Sequence, residues 1–132
     1  MNLYETFVLI LIGCKDTCIP IGVADRNIIP DCSFSATSIF SWHYAAKGAR
    51  LNTSGTWEPN SNSNPNDYLQ IDLGKVFFIC ALATQGNARS RGAREWTTEY
   101  KISTSIDNNR WTVYPRNSSP KVYLCYVYCI HR

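Results

Sequence analysis

The six cysteines are the residues best suited to chemistry in this 132-residue sequence. Two Cys-x-x-x-Cys pairs, Cys14 with Cys18 and Cys125 with Cys129, lie near the two ends, and His131 follows the second pair. Such a set could bind zinc tetrahedrally. It could also form one or two disulfides that tie the ends together, as is typical of small secreted chains. We favour disulfides, because N-glycosylation sequons independently indicate secretion, although the sequence does not define their connectivity.

Groups for acid–base catalysis are scarce. The chain has two histidines, His43 and His131, and neither lies in a recognisable Ser-His-Asp or Cys-His context. No spacing places two carboxylates face to face for glycosidase chemistry. The available carboxylates are Glu58, Asp67, Asp72, Glu95 and Glu99. We therefore expect a protein that is not an enzyme and that uses neither a cofactor nor a metal.

An aromatic cluster is the first candidate for ligand binding. Phe40, Trp42, His43 and Tyr44 follow one another closely in the chain. The amphipathic rings of Trp42 and Tyr44 suit a lipid interface or stacking on a sugar. In the alternative interpretation, Phe40 and Trp42 belong to a strand and alternate into the core.

Three arginines form the second candidate. Arg89, Arg91 and Arg94 lie within six residues of one another. Guanidinium groups offer paired donors to phosphate, sulfate or carboxylate, so we expect an anionic ligand here. The alternative is a solvated basic loop without a specific partner. A net charge of +3 is modest and argues against a nucleic-acid partner.

The sequons and the N-terminus bear on where the protein is located. Asn52-Thr53-Ser54 and Asn117-Ser118-Ser119 are acceptor sites that matter only in a secreted chain. Residues 1–13 form a possible signal or leader segment, although they lack the usual basic start, and the alternative is a first strand. Their apolar run is too short to span a bilayer. We expect an extracellular protein, secreted or on the cell surface, with no transmembrane segment.

Short strands separated by polar turns must position these residues. Leu69, Ile71 and Leu73 alternate with polar neighbours, which places them on one face of a strand. The loop from 52 to 67 is polar and pinned by Trp57. Many short strands with polar connections predict an antiparallel sandwich or barrel. The predicted strands are Tyr68–Leu73, Val76–Ala83 (covered on both faces), Thr98–Thr104, Trp111–Tyr114 and Val122–Ile130, with Gly74-Lys75 breaking the first from the second.

A series of short motifs adds a family resemblance. The motifs are Pro20-Ile21-Gly22, Ala49-Arg50-Leu51, Gly55-Thr56-Trp57, the heptapeptide 68–74, Thr84-Gln85-Gly86 and the turn from Ser105 to Trp111. In order and spacing the series resembles the discoidin family, also called the coagulation factor V/VIII type C domain. The resemblance covers about Cys18 to Tyr114. It implies an all-β, antiparallel jelly-roll β-sandwich or barrel of the galactose-binding-like kind, with ligand-binding loops at one end.

The resemblance also assigns roles and boundaries. Four residues that match its motifs, namely Arg50, Trp57, Asp72 and Gln85, are interpreted as structural, since polar side chains in or beside apolar strands need partners. Residues 14–114 form the discoidin-like domain, and 115–132 form a divergent tail, so we expect the barrel to lack its closing strands. Cys125 or Cys129 would then replace the family's terminal cysteine as the partner of Cys18. Asn108 stands where the family usually has glycine, in a turn that needs the left-handed conformation.

These expectations converge on a recognition module. The resemblance implies a non-catalytic extracellular or cell-adhesion domain that binds an anionic, glycan, lipid or protein ligand through loops at one end of the barrel. Its partners would be a glycan, an anionic phospholipid surface, or a matrix or cell-surface protein. The alternatives are a lectin-like carbohydrate-binding domain and an incomplete fragment without independent function.

Overall fold

A computed structural model describes residues 7–14, 17–20, 22–61, 63–87, 96–97, 100–114 and 122–131. Within these ranges the chain forms strands and short 3₁₀ turns but no α-helix, which confirms the all-β prediction. The strands are β1 (Phe7–Cys14), β2 (Thr17–Pro20), β3 (Phe34–Ala36), β4 (Tyr68–Gln85), β5 (Tyr100–Ser105), β6 (Thr112–Val113) and β7 (Val122–His131). The 3₁₀ turns are Asp31–Ser33, Trp42–Tyr44 and Ala46–Gly48.

The strands form one antiparallel sheet in the order β2-β1-β4-β7-β5-β6, and β3 also pairs with β4. β2 and β6 are the outer strands of this path, so the sheet that the described strands form is not closed. An open sheet agrees with the expectation that closing strands are lacking. Among the described residues, no helix has the length and hydropathy that a membrane crossing needs.

β4 is one strand of 18 residues where the sequence predicts two. Gly74 has a φ of 73°, and the pairing with β7 shifts register between Asp72 and Phe77. Glycine adopts this left-handed conformation without the steric cost that a Cβ brings. The expected break at Gly74-Lys75 is therefore an irregularity inside a continuous strand, of the kind a β-bulge produces.

The predicted alternation in the first half of β4 is confirmed. Leu69, Ile71 and Leu73 are all buried and belong to the core, whereas the residues between them are half-buried. In the second half, Ile79 is buried but Val76 is 52% exposed. The expectation that both faces are covered therefore fails at Val76.

In the core, β3 and β4 pack against residues that precede β3 and residues that connect β3 to β4. Its buried apolar residues are Val23, Ile29, Phe34, Ala46, Ala49, Trp57, Leu69, Ile71, Leu73 and Ile79. Each fully buried large side chain contributes about 1.5–3 kcal/mol relative to exposure. Trp57 is the largest of them, and its burial confirms that it pins the loop from 52 to 67.

Described segments near both ends of the chain lie in the sheet. β1 pairs with β4 from Phe7 opposite Gln85 to Ile12 opposite Ile79, and β7 pairs with both β4 and β5. Residues 7–13 of the possible leader 1–13 are thus in a strand. Residues 122–131 of the divergent tail 115–132 are also in a strand. The domain boundaries placed at 13/14 and 114/115 stay predictions.

The turn between β5 and β6 is organised by one carboxylate. The Oδ1 atom of Asp107 accepts hydrogen bonds from the backbone N–H groups of Asn109, at 2.9 Å, and Arg110, at 2.8 Å, and from the Ser105 hydroxyl at 3.0 Å. Asn108 has a φ of 60°, the left-handed conformation expected from the sequence. Its Oδ1 accepts a 3.1 Å hydrogen bond from Gln70 Nε2, which ties the turn to β4.

Candidate ligand-binding surface

Residues 39–44, here called the aromatic loop, present apolar side chains to solvent. The exposed fractions are 41% for Ile39, 59% for Phe40 and 76% for Trp42. His43 is also exposed, and Tyr44 is half-buried. β3 ends at Ala36, before the loop begins. The alternative in which Phe40 and Trp42 alternate into the core therefore does not describe this structure.

Backbone hydrogen bonds fix the aromatic loop to the segment that contains Glu58. The Phe40 N–H donates to the Glu58 carbonyl at 2.8 Å, and the Glu58 N–H donates to the Tyr44 carbonyl at 3.3 Å. Within the loop, the Tyr44 N–H donates to the Ser41 carbonyl at 3.0 Å. The loop is therefore held near both of its ends, which lowers the entropy cost of using it in binding.

A second set of contacts anchors the residues that lead into the loop. The buried indole of Trp57 donates through Nε1 to the Ser38 carbonyl at 2.9 Å. The Thr37 hydroxyl donates to Asp67 Oδ1 at 3.0 Å and accepts from the Tyr68 N–H at 2.9 Å. These contacts connect the start of the loop to the core and to β4. Sequence reasoning missed Ser38 and Glu58 as anchors, because they act mainly through backbone groups that no residue pattern reveals.

The rings of the aromatic loop contact one another in two pairs. Phe40 and Tyr44 meet edge to face, with centroids 5.9 Å apart and ring planes at 65°. Trp42 and His43 are stacked, with centroids 3.4 Å apart. Such pairs add about 0.5–1.5 kcal/mol beyond the area that they bury. The loop thus presents a small apolar surface that also carries the polar N–H groups of Trp42 and His43.

Arg50 lies in the interior and is not available to a ligand. Its Nη1 donates to the Val23 carbonyl at 2.6 Å, its Nη2 donates to Asp31 Oδ1 at 2.8 Å, and its guanidinium lies 4.3 Å from the centroid of the Phe34 ring. The hydrogen bond from Arg50, with help from the charges of Arg26 and Lys47, lowers the pKa of Asp31 despite some desolvation. This geometry agrees with the structural role inferred for Arg50.

Asp72 and Gln85 also make local structural contacts. The Oδ1 atom of Asp72 accepts a 2.7 Å hydrogen bond from the N–H of Gly74, at the irregularity in β4. The Oε1 atom of Gln85 accepts a 3.3 Å hydrogen bond from the N–H of Asn52. Each therefore fixes backbone geometry, as its structural interpretation requires.

Several predicted site residues lie outside the described residues or have side chains that do. They are Arg89, Arg91, Arg94 and Asn117, and the side chains of Cys18, Cys125 and Cys129. In the sheet, β1 and β4 separate β2, which contains Cys18, from β7, which contains the other two cysteines. The disulfide between Cys18 and Cys125 or Cys129 stays a prediction. In the part of the chain that is described, Cys32 is an exposed free thiol and no three His, Cys, Asp or Glu side chains cluster as metal ligands would.

Comparison with known proteins identifies related sequences. The family model for the F5/8 type C domain matches residues 33–123. Mouse lactadherin is 36% identical over 120 residues, which are 84% of this chain and 25% of lactadherin. Human coagulation factor VIII is 31% identical over 130 residues, 92% of this chain and 5% of the factor. Human epithelial discoidin domain-containing receptor 1 is 34% identical over 96 residues, 69% of this chain and 10% of the receptor.

Proposed function

We propose that this chain, which belongs to the F5/8 type C or discoidin family, is an extracellular, non-catalytic recognition module that binds a lipid surface through its aromatic loop. The chain spans about a quarter of lactadherin and a smaller part of the other two relatives. The observation that carries the proposal is the exposure of Trp42 on a loop whose backbone is hydrogen-bonded to Glu58. A large exposed ring on an ordered loop is typical of a contact surface rather than of a loose chain.

The composition of the aromatic loop favours a lipid interface. Ile39, Phe40 and Trp42 are apolar and exposed, and the loop contains no Asp, Glu, Lys or Arg. Tryptophan is enriched at the level of lipid headgroups, where its ring is buried and its N–H stays hydrated. Exposed Lys47 follows the loop closely and would add about 1 kcal/mol on an anionic membrane. A weak, reversible attachment to anionic membranes is therefore the function that these residues support best.

One observation favours a lectin-like function as the second candidate. The stacked pair of Trp42 and His43 combines a ring face with N–H donors, and carbohydrate rings offer apolar C–H faces beside hydroxyl groups. On this alternative the ligand would be a soluble glycan, and the apolar side chains of Ile39 and Phe40 would contribute little.

Vesicle retention tests the proposal. The purified chain is sedimented with vesicles of phosphatidylserine and phosphatidylcholine, and separately with vesicles of phosphatidylcholine alone. Trp42→Ala should weaken retention about tenfold, because burial of the ring contributes at least about 1.4 kcal/mol. Ile106→Ala is the matched control, since Ile106 is 61% exposed but lies on the turn after β5.

The outcomes separate the candidates. Loss with Trp42→Ala and full retention with Ile106→Ala supports the lipid function. Equal retention of both variants contradicts a role of the aromatic loop in lipid binding. Binding to a glycan array that Trp42→Ala abolishes, together with no retention on either vesicle type, replaces the lipid function with the lectin-like one.

A further inference from the structure

The turn after Ala49-Arg50-Leu51 carries one of the two sequons on an ordered backbone. Asn52 is exposed and has a φ of 58°. The Thr53 hydroxyl donates to the Arg50 carbonyl at 2.8 Å and accepts from the Gly55 N–H at 3.3 Å. Asparagine tolerates the left-handed conformation better than most residues. The turn is thus fixed from within, and Asn52 is at its surface.

The side chain of Asn52 is not used in holding this turn. Its backbone N–H donates to Gln85 Oε1 at 3.3 Å, whereas its side-chain amide makes no hydrogen bond among the described residues. Ser54, the hydroxyl residue of the sequon, is also exposed. A glycan on the Asn52 amide would therefore extend into solvent without breaking a contact of the folded chain.

The same turn packs against the residues that follow the aromatic loop. A Cβ atom on Gly55 would lie only 3.0 Å from the Cα atom of Gly48. Gly48 closes the 3₁₀ turn Ala46–Gly48, which contains exposed Lys47 and follows Tyr44 closely. The turn that carries Asn52 thus packs against the segment of Lys47, the residue that we expect to contact an anionic membrane beside the aromatic loop.

We propose that Asn52 carries an N-linked glycan and that this glycan limits the access of the aromatic loop to extended lipid surfaces. The first part depends on the sequon, the exposed amide and an extracellular location. The second part rests on the proposed function. The turn is then a modification site. Its glycan limits how closely a membrane can approach the surface near Lys47.

Glycan mapping tests the modification. The full chain is secreted from animal cells, treated with peptide N-glycosidase in heavy-oxygen water, and mapped by mass spectrometry for conversion of Asn52 to labelled aspartate. Ser54→Ala removes the sequon without disturbing the left-handed backbone at Asn52, and Ser54→Thr preserves it. Labelling in the parent chain and in Ser54→Thr, with none in Ser54→Ala, is the expected result. An unlabelled Asn52 in the secreted parent chain would overturn the proposal.

Vesicle retention of the same preparations tests the shielding. Ser54→Ala should be retained several-fold better than the glycosylated parent on vesicles of phosphatidylserine and phosphatidylcholine, and enzymatic removal of the glycan should raise the parent to the same level. Equal retention of the glycosylated and unglycosylated forms would contradict the shielding. Retention of neither form would reject the lipid function and the shielding together, whereas the labelling result would still decide the glycan at Asn52.

Discussion

Asp31 Oδ1 accepts a 2.8 Å hydrogen bond from Nη2 of Arg50, and this pair joins the segment before β3 to the segment that leads into the Asn52 turn. The Arg50 side chain is buried, whereas that of Asp31 is about one-third exposed. A buried guanidinium needs both a counter-charge and hydrogen-bond acceptors, and Val23 supplies the second acceptor through its carbonyl.

Arg50→Lys should lower the free energy of unfolding by about 2 kcal/mol, although the charge is preserved. A single ammonium group lacks the fork of donors that reaches both Val23 and Asp31. Asp31→Asn should cost about as much, because it leaves the guanidinium without its counter-charge. Urea unfolding followed by tryptophan fluorescence measures both. A lysine variant as stable as the parent would show that the two-acceptor geometry is not required.

Stability should fall as the solution becomes acidic. The Arg50 hydrogen bond lowers the pKa of Asp31, and hydrogen bonds from the backbone of Arg110 and Asn109 lower the pKa of Asp107. A carboxyl group whose pKa is lower in the folded state than in the unfolded state stabilises the protein at pH values above its unfolded-state pKa. This stabilisation is lost as the pH falls through the folded-state pKa. The urea concentration at the midpoint of unfolding should therefore decrease once the pH falls below about 4.

Replacement of these two carboxylates checks the cause of the acid effect. The double variant Asp31→Asn and Asp107→Asn should be less stable than the parent at neutral pH and should show a flatter decline between neutral and acidic pH. A decline as steep as that of the parent would assign the acid sensitivity to other carboxylates.

Gly48→Ala should destabilise the protein by about 2 kcal/mol or more, because the new Cβ would lie 2.5 Å from the Thr56 carbonyl oxygen and 2.8 Å from the Thr56 nitrogen. Backbone atoms cannot rotate away as a side chain can. Gly74→Ala is the matched control, since a Cβ there meets no atom within 4 Å and only the positive φ opposes it. That strain costs about 1 kcal/mol. Thermal unfolding should rank Gly48→Ala below Gly74→Ala, and the reverse order would contradict the packing seen at Gly48.

Asn108→Ala and Asn108→Gly should differ although both remove the amide that accepts from Gln70. Alanine at a φ of 60° pays the left-handed penalty of about 1 kcal/mol, whereas glycine does not. The denaturant midpoint of Asn108→Gly should therefore lie near that of the parent, and the midpoint of Asn108→Ala should lie below both. Equal midpoints for alanine and glycine would mean that the turn relaxes out of the left-handed conformation.

Local patterns predicted the fold class and the buried face of β4 correctly. Leu69, Ile71 and Leu73 alternate in the sequence and are buried in the structure, because a strand places every second side chain on the same face. The left-handed conformation of Asn108 was also predictable, since few residues tolerate it. These features depend on neighbours in the sequence.

Features that depend on distant contacts were not predictable. Phe40 and Trp42 lie on a loop whose backbone is hydrogen-bonded to the distant Glu58. An alternating pattern looks the same in sequence whether its side chains face solvent or the core. The pairing of Arg50 with Asp31 joins residues that no motif connects. The continuity of β4 through Gly74 was missed because a Gly-Lys pair at the end of an apolar run is also typical of a turn.

The position of β7 between β4 and β5 constrains the order in which this chain can acquire its structure. The residue pairs that join β4 to β7, such as Tyr68 with Ile130, are far apart in sequence, and among the described strands β5 connects to β4 through β7. Closing such long loops is costly before the contacts form, so folding dominated by them is slow. During synthesis β4 and β5 would emerge from the ribosome well before the strand that joins them, and their unpaired edges would be exposed to other chains in that interval.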